Sequence, residues 1–143
     1  HRYSSAASDV YKRQIAIIDK RRESATSVRQ ETIIGGPVEG KIALMFDDMI
    51  STGGSICGAA ELVKRYGAQE IHVAATHGVF AGQATELLKK APIDSVVITD
   101  TIPLKPENRL DKIKVLTVST LLGEAIKRIH HDQSISSIFN TGN

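Results

Sequence analysis

Residues 42–55, IALMFDDMISTGGS, decide the fold of this chain. The segment begins with an apolar run over residues 42–46, continues with the adjacent carboxylates Asp47 and Asp48, and ends in a turn rich in glycine and hydroxyl groups. A continuous apolar run predicts a buried strand of a parallel sheet, and open α/β sheets bind ligands beyond the C-terminal ends of such strands. The sequence therefore predicts an α/β fold with a candidate site directly after this strand.

The turn that follows the two carboxylates has the composition of an anion-binding loop. Gly53 and Gly54 permit backbone conformations that turn successive N–H groups inward, and Thr52 and Ser55 add hydroxyl donors at the start of a helix. Carboxylates repel phosphate whereas amides attract it, so the two halves of the segment require a ligand with hydroxyls and a phosphate. A sugar phosphate fits, its hydroxyls or a magnesium ion bound to them contacting the carboxylates and its phosphate contacting the amides of residues 51–55.

Composition limits the class of protein. A chain of 143 residues with 41% hydrophobic residues can form one core, and a net charge of +2 with 4% aromatic residues argues against a nucleic-acid surface. The sequence shows no signal peptide and no apolar run long enough to cross a membrane, so no membrane partner is expected. The single cysteine, Cys57, excludes an internal disulfide, is compatible with a cytoplasmic location, and is interpreted as a packing residue.

The N-terminal region contains a second cluster with chemical character. Residues 1–14 lack periodicity and are interpreted as a non-native leader before a domain over residues 15–143. Residues 15–19 predict a short parallel strand that continues into Lys20, Arg21 and Arg22. A cationic cluster followed by a polar stretch predicts a mobile lid that contacts anions, the alternative being a solvated charge run.

Apolar periodicity and turn residues predict the remaining elements. They are strands over residues 32–34, 71–75, 95–99 and 113–118, and helices over residues 55–66, 83–90 and 119–130. The last helix carries an apolar stripe of Leu122, Ala125, Ile126 and Ile129. His77, at a strand end, is interpreted as a local hydrogen-bonding residue rather than a ligand contact, and His130 with His131 as a helix-end pair rather than a metal site.

Several motifs together carry a resemblance to a known family. FDDMISTGGS, residues 46–55, resembles the ribose 5-phosphate loop of the type I phosphoribosyltransferase fold, and DKRR, residues 19–22, resembles the opening of the catalytic loop of the ribose-phosphate pyrophosphokinase family. The C-terminal QSISSIF, residues 133–139, is similar to the tail of the same family. The resemblance runs from residue 15 to about residue 140 and implies a three-layer α/β fold with a mostly parallel sheet.

The resemblance also implies an activity and a set of site residues. The activity is transfer of pyrophosphate from ATP to ribose 5-phosphate with Mg²⁺, and Lys20 and Arg22 are implied as catalytic cations. The ribose 5-phosphate site is implied at Asp47, Asp48, Ser51, Thr52, Gly53, Gly54 and Ser55, the two carboxylates contacting metal through ribose hydroxyls. Asp100 and Thr101 are weaker candidates, since the resemblance implies that their turn lies near the adenine or the ribose.

Assembly and completeness are further expectations from the family. Ser134, Ile135 and Phe139 are implied in a regulatory site at a subunit interface of a homo-oligomer, a hexamer in the family. The main metal ligands and much of the ATP site are expected in an upstream half that this chain lacks, so we expect a C-terminal fragment that is inactive alone.

The sequence departs from the family pattern at one site residue, and two alternative functions stay open. Ser51 stands where many family members carry Asp, so one contact to ribose or its metal is lost or replaced by water, while the amides are unaffected. A phosphoribosyltransferase shares the sugar-phosphate loop, and pyrophosphate release from phosphoribosyl pyrophosphate with a nitrogenous base would identify it. A non-catalytic regulatory homologue would lack the catalytic cations, and their presence counts against it.

Overall fold

The computed structural model describes residues 16–21 and 30–138. A short 3₁₀ turn, Pro106–Asn108, precedes the last strand and a second, Ser136–Ile138, follows the last helix. The strands and helices in chain order are β1 Ala16–Arg21, β2 Gln30–Gly35, β3 Ile42–Ile50, α1 Gly54–Arg65, β4 Glu70–Gly78, α2 Ala84–Lys90, β5 Ser95–Thr99, β6 Ile113–Leu116 and α3 Ser119–His130.

A four-stranded parallel sheet in the order β3-β4-β5-β6 forms the centre of the fold. α1 and α2 connect consecutive strands, as parallel pairing requires a crossover of a dozen or more residues. All four C-terminal strand ends therefore lie at one edge of the sheet, where the β3–α1 turn also lies. The predicted α/β fold with a mostly parallel sheet is confirmed.

One face of the sheet is packed against helices. Side chains at alternate positions point to this face, where the register pairs Val73 of β4 with Val96 of β5 and Ala75 with Ile98. Ile71, Val73, Val96 and Ile98 are all at most 1% exposed. Leu88 of α2 is equally buried. Burying each aliphatic side chain contributes about 1.5–3 kcal/mol, so this layer holds the sheet to α1 and α2.

The opposite face of β3 is exposed, which corrects the predicted burial of this strand. Ile42, Leu44 and Phe46 are 57%, 51% and 77% exposed, whereas Ala43 and Met45 of the same strand are half-buried against the core. Within the described residues β3 pairs with β4 alone and is an edge strand. An apolar run predicts burial on both faces, but here only alternate residues have core neighbours.

β1 and β2 form a separate antiparallel pair, so the parallel strand predicted at residues 15–19 is wrong in direction. An apolar run does not encode strand direction, because the pairing depends on where the chain returns. β1 extends to Arg21, and Lys20 lies opposite Glu31 in the register. The cationic cluster is therefore partly inside the strand instead of following it.

The other predicted helices and strands are confirmed with shifts of a few residues at their ends. Gly67 follows α1 in the left-handed conformation, with φ of +87°, and its N–H donates to the Lys64 carbonyl, as expected of a helix C-cap glycine. The stripe of α3 is present, but Ile126 and Ile129 are more than 60% exposed. No helix within residues 16–21 and 30–138 is long and apolar enough to span a membrane.

Candidate functional site

Asp47 and Asp48 lie in the last part of β3, not beyond its end. Asp47 is in register with Ala75 of β4, and both carboxylates are exposed. Each turns back to the chain, since Asp47 Oδ1 accepts the Asp48 N–H at 2.9 Å and Asp48 Oδ1 accepts the Met49 N–H at 2.8 Å. Because an ionised carboxylate has about four acceptor positions, both groups can still accept from hydroxyls or hold a cation.

The turn from Ser51 leads directly into α1. Gly53 is the N-cap of α1 with φ of +79°, and no side chain caps the helix. The first turn of α1 contains no acidic residue that would repel an anion. Since the first N–H groups of a helix have no intrahelical acceptor and lie at the positive end of the helix dipole, this turn is suited to bind an anion.

Only one of the two glycines in the turn has an unusual conformation. Gly53 is in the left-handed region and buried, and a Cβ there would lie 3.4 Å from the Ala84 Cα. Gly54 is exposed and helical, and the nearest atom to a Cβ at this position is Thr52 Oγ1 at 4.0 Å. Of the two glycines expected to shape the turn, only Gly53 therefore uses a conformation that favours glycine, whereas the lack of a side chain at Gly54 leaves room above the helix start.

Residues 79–81, the segment after β4, donate hydrogen bonds to the start of the β3–α1 turn. Val79 and Phe80 both donate their N–H to the Ile50 carbonyl at 3.1 Å, and Ala81 donates to the Ser51 carbonyl at 3.0 Å. Ile50 is 1% exposed, so the turn leaves β3 from a fully buried point. The sequence of residues 76–80 also resembles the family, but no supporting role was predicted for it, although the glycines at 78 and 82 were a signal of special backbone geometry.

A polar network joins the ends of β4 and β5 at the same edge of the sheet. His77 Nδ1 lies 2.8 Å from Thr101 Oγ1, and Thr99 Oγ1 donates to the Thr76 carbonyl at 2.6 Å. The two threonine hydroxyls are 2.9 Å apart. The prediction that His77 is a local hydrogen-bonding residue is confirmed, and Thr99 is a member that the sequence did not indicate.

Asp100 links β5 to the turn before α3. Its carboxylate accepts the Val118 N–H at 2.9 Å, and its own N–H donates to the Leu116 carbonyl. Hydrogen bonding from the Thr117 side chain, and secondly from the Val118 N–H, lowers the pKa of Asp100 below its ordinary value. Asp100 therefore has a role in fixing this turn, which the sequence did not predict.

The remaining predicted site residues are distant from the turn in sequence. For Lys20 the structure gives the backbone position in β1, while Arg22 and Phe139 lie outside the described residues. In the tail, the Ser134 carbonyl accepts from Arg128 Nη1 at 3.3 Å, and Ile135 is 41% exposed. Arg128 also contacts the Ser137 hydroxyl and Glu124, so it fixes the tail to α3.

Two further predictions concern Cys57 and the histidine pair. Cys57 is 5% exposed in α1, and burial is the main cause that raises the pKa of its thiol, which confirms the packing interpretation. The rings of His130 and His131 meet edge-on at the end of α3, with centroids 5.3 Å apart. Among residues 16–21 and 30–138, no three His, Cys, Asp or Glu side chains are grouped to hold a metal ion.

The chain is similar to known proteins along most of its length. The profile of the phosphoribosyl synthetase-associated domain matches residues 5–140. A protein of Rhodopirellula baltica named ribose-phosphate pyrophosphokinase is 66% identical over 125 residues, which cover 87% of this chain and 40% of that protein. One of Pasteurella multocida with the same name is 50% identical over 126 residues, covering 87% and 40%.

A solved structure agrees with the fold. The crystal structure of phosphoribosylpyrophosphate synthetase from Mycobacterium smegmatis superposes with a TM-score of 0.74 at 33% identity, covering 82% of this chain and 37% of that one. The chain thus spans about 40% of the length of the curated relatives it matches.

Proposed function

Because this chain belongs to the phosphoribosyl synthetase-associated domain family, we propose that it supplies the ribose 5-phosphate site of a ribose-phosphate diphosphokinase. The proposed reaction transfers pyrophosphate from ATP to ribose 5-phosphate, giving phosphoribosyl pyrophosphate for nucleotide biosynthesis and AMP. We propose this activity, these substrates and a cytoplasmic location for the whole protein, because the chain spans only about 40% of the length of its relatives. Assembly into a homo-oligomer belongs to the same proposal.

One observation carries the proposal: a helix start without a side-chain cap directly follows two exposed carboxylates on one strand. The N–H groups at the start of α1 attract the 5-phosphate, while Asp47 and Asp48 accept hydrogen bonds from ribose hydroxyls. Gly54 leaves space for the phosphate to approach the backbone. The carboxylates bind hydroxyls and the helix N–H groups bind anions, and one short turn separates them. Together they match a ligand with hydroxyls at one end and a phosphate at the other.

In the proposed transfer, the anomeric hydroxyl oxygen of ribose 5-phosphate bonds to the β-phosphorus of ATP. The bond from that phosphorus to the oxygen it shares with the α-phosphorus breaks, AMP leaves with this oxygen and the electron pair, and the hydroxyl proton is released to solvent. Positioning and charge stabilisation contribute most to phosphoryl transfer. Lys20 and Arg22 would therefore neutralise charge on the transferred phosphates, while the loop and the two carboxylates hold the acceptor in place.

The donor set of this chain also fits a share in binding Mg²⁺. Asp47 and Asp48 provide the hard oxygen ligands that this ion prefers, and it is usually bound by one or two carboxylates together with substrate oxygens. When bound, Mg²⁺ would neutralise phosphate charge. The two carboxylates of this chain would contribute by holding the ribose hydroxyls next to it.

Calorimetry with ribose 5-phosphate tests the binding part of the proposal on the 143-residue chain. We expect weak binding, and we expect Gly54→Val to abolish it, because the side chain occupies the space above the helix start while the helical φ of Gly54 suits valine. Gly58→Ala is the matched control, since a Cβ at Gly58 meets nothing within 4 Å. Normal binding by the Gly54→Val chain would refute the site.

A coupled assay for AMP tests the catalytic part. The chain alone should form no AMP from ATP, Mg²⁺ and ribose 5-phosphate, and a protein of the relatives' full length containing this sequence should form it. In that longer protein, Lys20→Ala should lower turnover by orders of magnitude at nearly unchanged ribose 5-phosphate binding, because the cation acts on charge that develops during transfer. Unchanged turnover would remove Lys20 from the mechanism.

A further inference from the structure

We infer that residues 78–81 hold the β3–α1 turn, residues 51–55, in its anion-binding shape, and that Phe80 is the positioning residue. This inference rests on the proposed function, since it concerns the same ribose 5-phosphate site. None of these residues belongs to the predicted site. Their contribution is to keep the N–H groups at the start of α1 aimed at one point.

The backbone contacts are concentrated where the turn begins. The Ile50 carbonyl, the last of β3, accepts both the Val79 and Phe80 N–H groups, and the next carbonyl, that of Ser51, accepts the Ala81 N–H. The N–H groups of three consecutive residues thus donate hydrogen bonds to two consecutive carbonyls. In the middle of the turn, Gly53 lies close to Ala84, the first residue of α2, which is fully buried: a Cβ at Gly53 would be 3.4 Å from the Ala84 Cα. The turn is therefore fixed at its start by residues 79–81 and at Gly53 by the first residue of α2.

The conformation of Phe80 makes these contacts possible. Phe80 has φ of +46°, in the left-handed region that side-chain-bearing residues rarely adopt. Its side chain is 6% exposed and belongs to the core cluster. Packing of the ring holds the backbone in this unfavourable conformation. The φ of Phe80 sets the direction from its own N–H to the Ala81 N–H, so this conformation directs Ala81 to the Ser51 carbonyl while Val79 and Phe80 donate to the Ile50 carbonyl.

Gly78 explains how the ring is placed. A Cβ at Gly78 would lie 2.7 Å from Ile98 Cδ1 and 3.0 Å from the Phe80 ring. The ring and Ile98 therefore occupy the space that any side chain at position 78 would need. The chain consequently couples the core of β5 to the turn through the contacts Ile98, Gly78 and Phe80.

The test measures amide hydrogen exchange in the turn by NMR, on the 143-residue chain. Phe80→Ala should raise exchange about tenfold, relative to the core strands, at the amides of Val79, Ala81 and Cys57, whose N–H groups donate to the carbonyls of Ile50, Ser51 and Gly53 in or next to the turn. It should also weaken ribose 5-phosphate binding about tenfold. Val96→Ala is the matched control, because Val96 is fully buried in β5 and is not part of the Ile98, Gly78 and Phe80 contacts. It should lower global stability without selective change in the turn.

A second pair of variants protects the test against misfolding of Phe80→Ala. Gly78→Ala should displace the ring and raise exchange in the turn, and adding Ile98→Val, which removes the Cδ1 atom, should restore part of the protection. A turn whose exchange is unchanged in both Phe80→Ala and Gly78→Ala overturns the inference. If exchange responds but the unsubstituted chain binds neither ribose 5-phosphate nor inorganic phosphate, the inference stands and the proposed function fails.

Discussion

Gly53 and Gly54 are adjacent and chemically identical, yet the structure gives them different roles. Gly53 has the left-handed backbone that the turn requires, and Gly54 has helical backbone with space above it. We predict that Gly53→Ala lowers the free energy of unfolding by about 1–2 kcal/mol, because an L residue is strained at φ of +79°. Urea denaturation of the two purified chains measures this difference.

Gly58→Ala is the comparison for that measurement. Gly58 lies inside α1, and a Cβ there meets nothing, so alanine should stabilise the helix by about 0.4–1 kcal/mol. We therefore predict that the free energy of unfolding falls in Gly53→Ala and rises in Gly58→Ala, although the two positions are only five residues apart. Equal effects at both positions would mean that the left-handed conformation of Gly53 carries no energetic weight.

Asp100 gives a pH-dependent prediction at the same scale. Its pKa is lower in the folded chain than the ordinary value of 3.8, because hydrogen bonds from Thr117 and Val118 favour the ionised carboxylate. The resulting stabilisation is fully present above the unfolded-state pKa and is lost as pH falls through the folded-state pKa. Asp100→Asn should therefore lower stability at neutral pH, and its deficit should shrink on acidification.

Urea midpoints of the unsubstituted chain and of Asp100→Asn, followed from about pH 7 to about pH 3, check this pattern. Asp94 offers a control. Its carboxylate also accepts a backbone N–H, that of Ile71 at 2.7 Å, but this bond joins the residue before β5 to β4 and does not involve the β6–α3 turn. If the loss of stability caused by Asp100→Asn stays constant with pH, the charge of Asp100 does not stabilise the β6–α3 turn.

At the scale of elements, the unit of β3, its turn and α1 could be predicted from sequence because its signals are local. The apolar run, the glycines and the helical periodicity all act within residues 42–66. The direction of β1 and the exposure of β3 could not be predicted, because both depend on which strand lies beside them. A single sequence does not specify that neighbour.

The site shows the same division between local and distant signals. Asp47, Asp48 and the turn were found from their order along the chain, whereas the support by Phe80 and Ala81 comes from a segment about 30 residues later. The residue types at positions 79 and 80, valine and phenylalanine, do not indicate the left-handed backbone found at Phe80. Such a conformation is set by burial of the ring in a finished core and not by local propensity.

At the scale of the whole molecule, the distribution of exposed apolar side chains is uneven. Leu44 and Phe46 of β3 and Leu116 of β6, all at least half exposed, lie on the sheet face opposite α1 and α2. Because parallel sheets are ordinarily covered on both faces, we expect this open face to bind apolar probes and to promote association.

Phe46→Lys tests this expectation, because Phe46 is 77% exposed. The substitution should change the free energy of unfolding by no more than about 0.5 kcal/mol, yet reduce the fluorescence of a bound naphthalene sulfonate dye and the apparent mass in sedimentation at high concentration. Leu87→Lys is the matched control, since Leu87 is an exposed leucine on α2, which covers the other face. A large loss of stability in Phe46→Lys would show that this side chain is buried in solution, and equal dye binding by both variants would show that the apolar probes bind elsewhere.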